Sequence, residues 1–197
     1  ELSDSELPLA SELCRLLDGI PLAIELAAAQ IGNLGVHGVL AQITADFRLL
    51  PAGRRTALQR QKTLLSTMDW SYDLLAPLNQ ACLRRLSVFR GHFTLKSAVA
   101  VTAAAPITPE HVPLLIDHLV ANSLVQVVII DDQAYYRLLE TTRSYALEKL
   151  RETAELTATQ QRQAENCASV LGHAQREWEY LPRQRWLERY AHNLEDI

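Results

Sequence analysis

The chain has 197 residues, 48% of them hydrophobic, enough for one or two compact domains with a sizeable core. Its 19 Lys and Arg face 23 Asp and Glu, and the net charge of −4 argues against a generic polyanion binder. No apolar run approaches the roughly 20 residues of a membrane span, and no secretory signal opens the chain. The cysteines Cys14, Cys82 and Cys167 lie far apart in helical patterns, which argues against a disulfide framework or a zinc site and predicts buried thiols in a reducing cytoplasm.

Nearly everything reads as helix. Ser3 or Asp4 can cap a first helix carrying Leu7, Leu13, Leu16 and Leu17 at helical spacing. The pattern breaks at Asp18-Gly19 and restarts on Pro21, because Gly suits a helix end and Pro a helix start. The second helix is rich in Ala and carries Ile24, Leu26, Ala27 and Ile31; Gly32 and Gly35 bracket its end. A short third helix follows with Val39, Leu40, Ile43 and Phe47, completing a small bundle. Residues 51–62 read as a linker carrying Arg54, Arg55, Arg60 and Lys62 and no acid, either a solvated loop or a contact for an acidic partner or phosphate.

From Thr63 a helix carries Leu64, Leu65, Met68, Trp70, Leu74 and Leu75, and Pro77 opens the next. Thr94 can cap a third in this region, and Pro109 opens a fourth through Asn122. The strongest strand signal, Leu124 to Ile130, turns at Asp131-Asp132-Gln133 into a second run, Ala134 to Leu138. Thr141 then caps a helix to about Thr153. Helices followed by a hairpin and another helix suggest a winged-helix module. From Ala158 two more helical stretches, parted near Leu181-Pro182, place Leu181, Leu187, Tyr190 and Leu194 at helical spacing, with Trp178 and Trp186 nearby. They resemble the start of a TPR-like α-solenoid, whose repeats cannot bury their apolar faces alone. The expected architecture is mainly α: a helical bundle (1–50), the linker (51–62), a winged-helix domain with one β-hairpin (63–155), and solenoid-like helices (156–197). A start at Glu1, a lone methionine at Met68 and a helical pattern running to Ile197 suggest a piece of a longer protein.

Five blocks carry a family resemblance. They are ELCRLLDGIPLAIELAAAQI (12–31), FRLL (47–50), MDWSYDLL (68–75), LRRLSVFRGHFTL (83–95) and YRLLETTRSYALEKL (136–150). In order and spacing, over roughly residues 6–155, they resemble the bacterial transcriptional-regulator branch of the STAND, or NB-ARC-type, signalling ATPases. Gly19-Ile20-Pro21 matches that family's GxP motif. The resemblance implies a nucleotide held between a P-loop domain, the GxP helical domain and a winged helix, with Pro21 against the adenine, flanked by Gly19 and Leu22. It places Leu139 where relatives carry a phosphate-sensing histidine. Leucine cannot donate a hydrogen bond, so Arg137 or Arg143 would have to substitute. ADP would hold the domains closed, and ATP with a ligand on the solenoid would open them.

The catalytic parts of such an ATPase are missing from the sequence. A phosphate cradle needs G-x-x-x-x-G-K-[ST], and none of Lys62, Lys96 and Lys149 follows a glycine. Asp131-Asp132 read as turn residues rather than metal ligands. The histidines (His37, His92, His111, His118, His173, His192) form no H-E-x-x-H, and His111 and His118 read as surface positions. No nucleophile–base pair stands out, and no metal site is expected. The chain is therefore expected to be non-catalytic and cofactor-free by itself, with ADP or ATP and Mg belonging to a longer parent.

Charge also weighs against DNA. The recognition-helix candidate, 109–122, holds Glu110 and Asp117 but no Lys or Arg, and residues 63–154 carry 8 basic and 9 acidic side chains. The leading expectation is a cytoplasmic, regulatory segment that closes the nucleotide site of a P-loop domain and couples nucleotide state to domain opening. Its partners would be that domain and downstream repeats, with self-association through the tail helices open. The alternatives are a stand-alone winged-helix DNA-binding regulator and a protein-binding adaptor acting through its C-terminal helices.

Overall fold

The computed structural model describes residues 6–47, 57–130 and 133–190. The expected caps Ser3 and Asp4, the hairpin turn Asp131-Asp132, residues 51–56 of the expected linker, and Leu194 lie outside the described residues. The chain forms two compact units, one holding residues 1–76 with 121–123 and the other residues 77–120 with 124–197.

The first unit contains α1 (Leu7–Leu16), α2 (Pro21–Phe47) and α3 (Ala57–Asp73). The α1–α2 corner closes with two bonds: Asp18 N–H to the Arg15 carbonyl at 3.2 Å, and Gly19 N–H to the Cys14 carbonyl at 3.0 Å. Asp18, at φ 54°, takes the first left-handed position that sequence reasoning gave to glycine, and Gly19 follows at φ 66°. The Asp18 carboxylate accepts the Thr63 hydroxyl at 3.0 Å, fixing the corner to α3. Helix α2 breaks at Gly35, whose φ of 67° and ψ of 163° are open essentially only to glycine. The expected second and third helices are therefore two segments joined at one residue. Helix α3 begins at Ala57, so 57–62 are helical rather than linker, and the expected domain start at Thr63 falls inside a helix. TALQRQK contains no helix breaker, which explains the longer helix. Leu13, Leu17, Ala23, Ala27, Val39, Ile43 and Trp70 form the core, and alanines at α2 let the helices approach closely.

The second unit contains α4 (Pro77–Leu86), α5 (Leu95–Thr102), α6 (Val112–Ala121), β1 (Gln126–Ile130), β2 (Gln133–Arg137), α7 (Glu140–Arg151), α8 (Leu156–Glu177) and α9 (Arg183–Tyr190). It is the winged-helix order followed by tail helices. Thr94 caps α5 as expected, its hydroxyl accepting the Ser97 amide at 3.1 Å. Two expected helix starts move. Helix α6 begins at Val112, after a turn in which Val112 N–H reaches the Pro109 carbonyl. The cap position of α7 is Leu139, without a side-chain bond, and Thr141 lies inside the helix. Glu140 occupies the first turn, where an acid complements the helix dipole.

Strands β1 and β2 pair antiparallel, with Val128 opposite Tyr135. On its other side β2 meets a single residue, Phe93, which exchanges both backbone bonds with Tyr136 at 2.8 Å. Phe93 also stacks on Phe89, ring centroids 4.5 Å apart. Buried Leu83, Leu86, Ile116, Leu119 and Leu150 fill the interior of this unit.

Arg85 is the polar hub. It is 2% exposed and donates to the carbonyls of Thr102 (2.9 Å), Ala104 (2.6 Å) and Ala105 (3.1 Å) while pairing with Glu155 at 3.0 Å. One guanidinium thus satisfies the carbonyls leaving α5 and ties α4 to the chain entering α8. One turn earlier on α4, burial pushes the Cys82 thiol up to about 12, against the opposing pull of Arg85. Cys82 is buried as expected, but Cys14 is exposed and Cys167 half-buried. Among the described residues no helix is long and apolar enough to cross a membrane.

Candidate functional site

The residues assigned by resemblance fall into both units. In the first, Gly19 and Pro21 are exposed and Leu22 is half-buried. The geometry follows from the local sequence. Two left-handed residues swing the chain outward, and Pro21 starts α2 as its first residue, where its missing N–H costs nothing. Its ring therefore stands at the surface, and the apolar residues that follow, Ala23 and Leu26, turn into the core.

In the second unit the hairpin and the start of α7 carry Arg137, Leu139 and Arg143. Arg137 is exposed, and its Nε donates to Gln126 Oε1 across the strands at 3.0 Å. Arg143 grips Glu140 with two bonds of 2.9 and 2.8 Å, and Ser144 adds a third to the same carboxylate at 3.1 Å. The Arg143 bond holds the Glu140 carboxyl below the usual carboxylate range. Arg143 is thus already matched by an acid, whereas Arg137 is held only by a neutral amide. Of the two, Arg137 has more of its charge to offer an anion.

The surface that a winged helix usually presents to a partner is not basic here. Helix α6 buries Val112, Leu115, Ile116 and Leu119. Its exposed positions are Pro113, Leu114, Asp117, His118 and Ala121. On β1, Val127, Ile129 and Ile130 are 46%, 65% and 41% exposed. An anionic backbone needs cations to displace its counterions, and this helix supplies no Lys or Arg. His111 and His118 are exposed, and among the described residues no group of three or more His, Cys, Asp or Glu is placed to hold a metal.

Sequence reasoning missed one feature. Helix α8 turns the polar residues Arg162, Glu165, Asn166, Ser169 and His173 toward a cavity of about 530 Å³ within the second unit. The signal was present as a stripe at spacings of three and four. A polar stripe usually marks a solvated face, so by itself it did not announce a cavity wall.

Residues 75–151 match the family model described as "Winged helix-turn-helix domain". A protein of Mycobacterium tuberculosis (strain ATCC 25618 / H37Rv), named "Putative HTH-type transcriptional regulator", is 44% identical over 144 residues, which is 73% of this chain and 16% of that protein. A Mycobacterium bovis protein of the same description matches to the same extent. A shorter Mycobacterium tuberculosis relative, named "Uncharacterized protein", is 42% identical over 148 residues, 75% of this chain and 38% of its own length. The aligned part of the chain therefore spans well under half of these relatives. The chain contains a winged helix-turn-helix domain and is homologous to proteins carrying that regulator name.

Proposed function

We propose that this chain is the non-catalytic regulatory segment of a multidomain, STAND-type transcriptional regulator. In that role its winged helix serves as an internal docking module. The observation that carries the reading is the outward face of α6, with Leu114, Asp117 and His118 and no Lys or Arg. Beside a hairpin that exposes Val127 and Ile129, such a surface suits protein contact better than a phosphate backbone. Pro21 and Gly19 stand exposed at the α1–α2 corner, free to cover the base of a nucleotide held by a P-loop domain of the longer protein. Of Arg137 and Arg143, Arg137 has the charge less matched by an acid and would be the one to meet a phosphate, and ADP or ATP with Mg would be ligands of that longer protein.

The test is titration of a fluorescent ADP analogue. The chain alone should show no saturable binding. The longer parent should bind, and Pro21→Ala should weaken it roughly tenfold, about 1.4 kcal/mol. Tight binding by the isolated chain, or a parent indifferent to that substitution, would overturn the nucleotide role.

A second reading, a winged helix that reads DNA directly, is favoured by the family match over 75–151 and by the name of the relatives. It predicts duplex binding that weakens steeply between low and moderate salt. The docking reading predicts no such binding.

A further inference from the structure

We infer that the outer edge of β1 is a self-association surface, at which two copies of this chain pair their β1 strands antiparallel about a two-fold axis at Val128. Tyr136 exchanges both of its backbone bonds with Phe93, so its N–H and C=O point away from β1. Val127 stands opposite Tyr136, and Ile129 opposite Ala134. Along an antiparallel ladder, bonded and non-bonded pairs alternate. The N–H and C=O of Val127 and of Ile129 therefore point outward from the hairpin. None of these four groups has a partner among the described residues.

The strand has none of the features that usually keep an edge single, such as a lysine, a proline or a bulge. Gln126–Ile130 reads QVVII, without charge, proline or glycine. Its register against β2 runs unbroken from Gln126 to Ile130. Val127, Val128, Ile129 and Ile130 are all β-branched, the residue type that suits a paired, pleated strand. Three of them, Val127, Ile129 and Ile130, are exposed.

An identical strand is the occupant that fits. The free groups lie symmetrically about Val128. With Val128 on the axis, Val127 of each copy faces Ile129 of the other, and the free groups of both copies are satisfied in four bonds between the chains. The Val127 and Ile129 side chains become cross-strand neighbours twice. An uncharged strand meets its own copy without like-charge repulsion. The flanks are complementary. At one end Ile130 leads into Asp131-Asp132. At the other Gln126 lies opposite Arg137, an exposed cation held only by the neutral Gln126 amide. The two-fold sets the acidic end of each strand beside the Arg137 end of the other. The same edge serves on both copies, so the assembly closes at two chains. A five-residue strand spans about 17 Å. A contact of that size falls in the weak, transient class below about 1,200 Å². The pairing is independent of any nucleotide or DNA role.

Sedimentation equilibrium of the 197-residue chain over a concentration series gives the first readout. The mean mass should rise from one chain toward two, with a dissociation constant on the order of 100 μM, as befits so small a contact. Hydrogen exchange followed residue by residue in dilute and concentrated protein locates the contact. Exchange at the Val127 and Ile129 amides should slow severalfold with concentration. Val128, whose amide already faces β2, should not change. Ile129→Pro removes an outward N–H and leaves the ladder to β2 paired. It takes away two of the four bonds between chains and should weaken pairing roughly tenfold, with the circular-dichroism spectrum kept. Should Ile129→Pro fail to fold, Ile129→Lys at the same exposed position puts a charge on the edge and should weaken pairing as well. A chain that stays monomeric at millimolar concentration would overturn the inference. So would self-association that survives the substitution or leaves exchange at Val127 and Ile129 unchanged.

Discussion

Arg85 shows how one side chain can hold a unit together. Three carbonyls leaving α5 and the Glu155 carboxylate all accept from it, in a position almost without solvent. Arg85→Ala removes all four contacts at once and leaves the Glu155 carboxylate without its cation, and urea unfolding should show a loss of about 3 kcal/mol, the low end of the usual cost of breaking a buried pair. The partner has a pH signature. Hydrogen bonds from Arg85 hold the Glu155 carboxyl below its ordinary value, with desolvation opposing them. A carboxyl depressed on folding gives stability that is complete above its unfolded value, about 4.3, and is lost as pH falls through the lower folded value. Acid titration of the wild type should therefore reveal a drop in stability below about pH 4.3. Glu155→Gln should be less stable at neutral pH and show a smaller drop in acid.

At the scale of elements, the two glycine corners of the first unit differ in kind. A Cβ would meet nothing within 4 Å at Gly19 or Gly35, so any cost of substitution is backbone strain rather than collision. Gly19 sits in the ordinary left-handed well, and Gly19→Ala should cost about 1 kcal/mol. Gly35 sits where side-chain-bearing residues are nearly absent, and Gly35→Ala should cost about 2 kcal/mol. Thermal melts of the two variants should rank in that order.

These corners also show what could be read from the letters. Glycine and proline punctuate sharply, so the α1–α2 junction, the Gly35 break and the start of α4 were legible within a residue or two. Thr94 was legible because a hydroxyl before an apolar run has one obvious use. The start of α3 was not, since arginines and glutamines suit a loop as well as a helix. Thr141 was misplaced as a cap because its neighbour Leu139 does the backbone's work with no side-chain bond to betray it. The bridge between Phe93 and Tyr136 was beyond reach, because it pairs residues more than forty positions apart. The hub at Arg85 was hidden for the same reason, since nothing local links it to Glu155.

Across the whole molecule, the three thiols differ in exposure. Cys14 is exposed in the first unit, Cys167 is half-buried on α8, and Cys82 is buried with its thiol raised to about 12. Only the thiolate reacts, so a disulfide dye should label Cys14 in the native state and Cys82 only when the second unit opens. Labelling followed by mass mapping checks this order, and early modification of Cys82 would contradict the burial described above.

The indoles extend the same asymmetry. Trp70 is sealed in the core of the first unit, its Nε1 on Gln42 at 2.8 Å. Trp178 and Trp186 stand edge to face in the tail helices, centroids 4.9 Å apart, with Trp178 half open to water. The chain therefore carries native fluorophores in both of its units, with no dye attached. Substituting Trp70 by Phe leaves emission that reports the tail alone, and substituting the tail pair leaves emission from the bundle. Whether the two bodies melt as one cooperative system or in succession then becomes a matter of comparing two emission curves.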